Sequence, residues 1–206
     1  MLGERVHSCT CSPPMYSEPA GWRRRTAFSR LVPAMAAIGL TSAIAQVLLI
    51  REVSAVFYGN ELSMGIILAV WLLAVAGGAW LPGRQADRLQ RGPAVCALGL
   101  AVIGLLPILQ LLLIRTVRWW LNLTSGALAG LDTITLAVVV VLSPLCLCLG
   151  FLFRLGARLF HESGWSSAGA YVWEAIGAAL GGIVFTFVLA RWGNPFGTAL
   201  LLVRLV

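Results

Sequence analysis

The chain has 206 residues, of which 59% are apolar and 11% charged, with a mean hydropathy of +0.90. A soluble domain is about half apolar and a quarter charged, so this composition cannot clothe a water-facing surface. The net charge of +7 comes from arginine alone, with no lysine. These arginines flank apolar runs instead of forming a basic face interleaved with aromatics, which excludes nucleic acid as a partner and leaves the lipid bilayer as the solvent.

Residues 1–30 read as a disordered, basic cytoplasmic arm, with Pro13, Pro14, Pro19, Gly21 and the run Arg23, Arg24, Arg25 and Arg30. Met15 and Met35 are alternative starts. Cys9 and Cys11 beside His7 have the atoms for a metal site but lack a second ligand pair. The plain reading is a tail with two thiols.

The first span is predicted over 31–50, with Pro33 in its first turn. Ala43-Ile44-Ala45 after an arginine cluster also mimics a cleavable signal. The apolar run continues through Val47 to Ile50 and more spans follow, so the helix is read as retained. A second span covers 62–81, and a third, with a kink at Pro107, covers 94–114. Between them lies an arginine-dense loop, Gly83 to Pro93. Arg115 to Gly130, with Trp119 and Trp120, suits a segment lying along the interface. The fourth span covers 133–153 with Pro144 inside it, and the fifth covers 171–190. A partial sixth, 195–206, is too short to cross at 1.5 Å per residue, so the chain is expected to be incomplete there. The expected fold is therefore an all-α, polytopic transmembrane helical bundle over 31–206, with five full spans and a truncated sixth.

Ten arginines fall on the side of the arm and of the loops at Arg84 to Arg91 and Arg154 to Arg158, against four on the other. By the positive-inside rule that side, including the N-terminus, faces the cytoplasm.

Polar residues at membrane depth are the candidate site residues. Glu174 shares a helix face with Gly177, Ala178 and Gly181, and Gly177 with Gly181 makes a Gly-x-x-x-Gly step that lets another helix approach. Gly182 continues this packing surface. An acid there is either a proton or substrate site or an interfacial group reaching water, Arg154 or Arg158. A second cluster, Gln46, Arg51, Glu52, Asn60 and Glu61, gathers at the first hairpin. It would line a polar vestibule, or form solvated helix ends in which Glu52 or Glu61 neutralises Arg51. Cys96, Cys146 and Cys148 have no histidine or carboxylate nearby and read as small core residues. No phosphate loop, nucleophile elbow, zinc pair or haem attachment motif occurs, so catalytic residues, metal ligands and cofactors are not expected.

Gln46 to Glu52, followed by Phe57-Tyr58-Gly59-Asn60-Glu61-Leu62-Ser63 and the span with Trp71-Leu72-Leu73, resembles the opening helices of bacterial membrane proteins fused to spermidine synthase-like domains. Tyr171 to Gly182 is similar to the small-residue helix that precedes their soluble part. The loop at Gly83 to Arg91 resembles, more weakly, the Gly-x-x-x-Asp-Arg loop of major facilitator transporters. The resemblance covers Leu31 to Val206 and implies a polyamine-related role, with an aminopropyltransferase-like cytoplasmic domain after the sixth helix. No glycine-rich nucleoside loop or acidic catalytic motif stands in this sequence, so the family's enzymatic residues map to no position.

Three functions remain open on these grounds. One is a membrane anchor and conduit for a polyamine or other small cation, with Glu174, Glu52 and Glu61 as cation contacts. Another is a half-size, facilitator-like transporter dimerising with a second copy through the Gly177 to Gly182 face. The last is a non-catalytic structural subunit.

Overall fold

A computed structural model describes residues 20–56, 61–86, 92–120, 130–192 and 194–205. It is an all-helical bundle of six helices: α1 (Ala20–Val56), α2 (Glu61–Ala86), α3 (Gly92–Trp120), α4 (Leu131–Glu162), α5 (Ser167–Val184) and α6 (Pro195–Leu205). A π turn, Phe185–Leu189, and a last helical turn, Ala190–Trp192, extend α5. Five of these segments, beginning at Leu31, Glu61, Gly92, Leu131 and Ser167, are long and apolar enough to cross a membrane, which makes this a multi-pass membrane protein. Helices are the solution because hydrocarbon offers no partner to an open backbone N–H or C=O. The Cys9 to Cys11 pair, Asn60 and most of the Arg84 to Arg91 loop lie outside the described residues.

The helices run beyond the predicted spans. α1 starts at Ala20, inside the segment read as a disordered arm. Arginine and alanine are good helix formers and no proline interrupts Ala20 to Val32, so the described chain is helical from Ala20 onward. Pro33 consequently sits in the helix interior and not in a first turn. α3 continues as helix through Trp120, across residues expected to lie along the interface. Likewise, Arg154 to Arg158 is helical within α4 and not a loop. In each case the apolar run marks where lipid ends, and the backbone stays helical past it.

The turn after α4 is built by local hydrogen bonds. Gly164 adopts φ 81°, donating its N–H to His161 at 2.9 Å while Trp165 donates to Phe160 at 3.1 Å, the paired bonds of a Schellman ending. Ser166 then caps α5, its hydroxyl accepting the Ala168 N–H at 3.2 Å. At α6, Asn194 Oδ1 accepts from the Gly197 N–H, and Pro195 takes the first helical position, where a missing N–H costs nothing.

Two helix pairs dominate the packing, α1 with α5 and α2 with α4. Both are backbone contacts that glycine makes possible. A methyl at Gly39 would run into the Glu174 carbonyl and lie 2.9 Å from Ala178 N; one at Gly177 would strike the Ala36 carbonyl. Across the other pair, a methyl at Gly150 would run into the Val75 carbonyl and lie 2.8 Å from Ala79 N, and one at Gly78 would strike Leu147 O. Because lipid tails are as apolar as leucine, such close van der Waals approach holds helices together where hydrophobic burial cannot. α3 packs on α4 and α1, and α6 packs chiefly on α3. The buried core joins Ile38, Leu49, Ile67, Leu111, Leu142 and Leu152 into one cluster.

Candidate polar sites of the bundle

Polar groups fall into two sites at different depths. The first is at the end of the bundle where α1 finishes. Glu52 of α1 is mostly buried and pairs with Arg115 of α3 at 3.6 Å, and the Arg115 guanidinium lies 4.6 Å from the centre of the Phe196 ring on α6. One arginine thereby ties three helices together by an ion pair and a cation–π contact. Arg51 and Glu61 are exposed and Gln46 is half-buried. No ion pair among the described residues joins Arg51 to Glu52 or Glu61. The partner of Glu52 is thus Arg115, a residue that sequence reasoning had assigned only to an interfacial segment. The expected vestibule at the first hairpin gives way to a junction of α1, α3 and α6, since α1 packs far more on α3 than on α2.

One and a half turns deeper, Gln110 of α3 is 1% exposed and donates from Nε2 to the Val141 carbonyl of α4 at 2.8 Å. Pro144 offers no N–H to the Val140 carbonyl, and Gln110 reaches α4 at the next residue. Gln110 Oε1 and the hydroxyls of Thr41 and Ser54 are buried with no hydrogen-bond partner among the described residues.

The second site is Glu174, in the eighth position of α5 and half-buried. Its own carbonyl lies against Gly39 of α1. One turn back, the Tyr171 ring meets Phe153 of α4 edge-on at 6.3 Å. Glu174 therefore stands where α5 borders both α1 and α4. Arg158 pairs instead with Glu162 at 2.6 Å, and Arg154 donates to the Ala79 carbonyl of α2 at 3.4 Å. Neither arginine that was expected to neutralise Glu174 does so, because both are engaged elsewhere. No hydrogen bond or ion pair joins the Glu174 carboxylate to another described residue.

Glu52 and Glu174 do not share one pocket. Gly39, which Glu174 abuts, lies thirteen residues before Glu52 on α1, about 20 Å along a helix rising 1.5 Å per residue. Gly177 and Gly181 are buried against Ala36 and Leu40 of α1 in the same chain, whereas a side chain at Gly182 would enter open space. The glycine face expected to recruit a second copy is thus already covered. The signal for its partner was present on α1 as Ala36, Gly39 and Ala43, small residues on one helical face. Cys96 and Cys146 are buried in the apolar core, and no group of three or more metal-ligating side chains occurs among the described residues. Comparisons with protein-family models, curated proteins and solved structures return no match for this chain.

Proposed function

We propose that this chain is the membrane module of a spermidine synthase-like assembly. In this reading it holds a soluble aminopropyltransferase-like domain at the cytoplasmic face of a bacterial inner membrane, and polyamine or another small organic cation meets the bilayer at Glu174. The observation that carries the reading is the state of Glu174: a half-buried carboxylate, at a junction of three helices, with no partner among the described residues. An acid kept in an apolar bundle is expensive unless it serves a ligand, a proton or a hidden partner. Glu52, the acid within the apolar span of α1, is consumed by Arg115 and belongs to the framework. Orientation with the N-terminus inside is supported by the arginine asymmetry.

The test is uptake of radiolabelled spermidine by proteoliposomes containing the chain. The wild type should accumulate label, and Glu174→Gln should reduce accumulation at least tenfold while its melting temperature in detergent stays within a few degrees. Equal uptake by the two proteins would remove Glu174 from the function, and no uptake by either would remove the conduit and leave the anchor.

A further inference from the structure

The two glycine contacts are the same contact made twice. One fixed shift along the sequence carries Pro33, Ala36 and Gly39 of α1 onto Pro144, Leu147 and Gly150 of α4. A second fixed shift carries Val75, Gly78 and Ala79 of α2 onto Glu174, Gly177 and Ala178 of α5. Under these shifts each close approach maps onto the other: Gly39 on Glu174 O and Ala178 N becomes Gly150 on Val75 O and Ala79 N, and Gly177 on Ala36 O becomes Gly78 on Leu147 O. Burial follows the same registers, with Ile38, Ile44 and Leu49 falling on Leu149, Leu155 and Phe160, all buried.

Equivalent elements are offset by three helices in the chain, so α1 and α4 run in opposite directions through the membrane. The relation is therefore an inverted repeat of α1–α2 with α4–α5, about an axis in the membrane plane. The axis passes between α1 and α4. Gly156 packs on Met35 there, and the shift sends that pair to Ala45 and Cys146, both fully buried. The crossing level lies between Met35 and Ala45, near Leu40, within a turn of the residue that Glu174 abuts. What the repeat does not conserve is charge, since the counterpart of Glu174 is Val75.

We infer that the pairs α1–α5 and α2–α4 are two rigid bodies related by this inverted repeat, and that the seam between them, with Glu174 at its mid-depth, is the path of the small organic cation. The pairs are rigid because their backbones touch, whereas the α1–α4 seam is filled by side chains such as Met35 that can repack. Exchanging the conformations of the two repeats opens the seam first at one membrane face and then at the other. This inference rests on the reading of Glu174 as a cation contact for the identity of what passes, but not for the motion.

The motion is measurable by pulsed electron spin resonance in lipid nanodiscs. A spin label at Asp132 of α4 is paired in turn with one at Ala55 of α1 and one at Leu62 of α2, all three exposed at the same end of the bundle. Cys9 and Cys11 are replaced, and the cysteines inside the helices are left in place. Across the seam, Asp132 with Ala55 should give two distance populations whose ratio shifts at least threefold on adding spermidine. Within a locked pair, Asp132 with Leu62 should give one narrow distance. A single narrow distance for both would overturn the seam. Two populations that spermidine leaves unchanged would retain the moving seam and overturn the cation as its passenger.

Discussion

The α1–α5 and α2–α4 contacts differ in one respect that matters. Their backbones meet in the same way, glycine against carbonyl, yet the first contact carries Glu174 where the second carries Val75. Arg154 reaches across the second pair to Ala79, and its counterpart on α1 is Ala43, a methyl packed near Gly181. Geometry in this bundle is thus set by small residues and is repeated, while the charge beside each contact, Glu174 at one and Arg154 at the other, is not. The repeated part explains how the helices hold together in lipid. The unrepeated part is where function has to be sought.

Substitutions can break this comparison. The largest effect is expected from Gly39→Val and Gly150→Val, which drive a branched side chain into a backbone carbonyl. Each should destabilise the bundle by about 3 kcal/mol, the upper end of overpacking, read as the loss of folded protein in a detergent unfolding titration. If one is tolerated and the other is not, the contacts are not equivalent. A sharper comparison uses adjacent glycines of α5. A methyl at Gly181 would lie 2.7 Å from Leu40 O, whereas one at Gly182 meets nothing within 4 Å. Gly181→Ala should therefore lose about 1 kcal/mol or more to overpacking, and Gly182→Ala should gain up to about 1 kcal/mol of helix propensity. Similar melting temperatures for the two variants would contradict the assignment of that face to α1. The smallest effect belongs to Gln110→Leu. It removes one interhelical hydrogen bond of about 0.6 kcal/mol in a membrane, but it also removes an orphaned carbonyl oxygen, so stability should change by less than about 1 kcal/mol.

Much of this was legible before the structure. Twenty-residue apolar runs between arginines are a direct consequence of bilayer thickness, which is why the span count follows from the sequence. Helix ends were not legible, because arginine-rich segments such as Arg154 to Arg158 are as helical as the lipid-facing residues before them, and hydropathy reports lipid, not backbone. The Gly177 and Gly181 step was readable from spacing, but its partner was not. A Gly-x-x-x-Gly face states that a helix can approach and is silent on which helix does. The same limit hid the Glu52 to Arg115 pair, because residues far apart in sequence become neighbours only through packing. The inverted repeat is hard to read in the sequence because its identities are scattered and are the residues common to any apolar helix, such as Leu48 with Leu159 and Ala76 with Ala175, and what repeats is the position of small and buried residues.

The account stands on the α1–α5 and α2–α4 pairing, and one measurement in native membranes tests it most directly. Gly77 faces the Leu147 side chain, with a Cβ at that position lying 3.8 Å from Leu147 Cδ2. The double variant Gly77→Cys with Leu147→Cys, oxidised without purification and cut by a protease between α2 and α4, should stay joined as one species until reductant is added. Separate fragments under oxidising conditions, in protein that still resides in the membrane, would contradict the pairing and the repeat built on it.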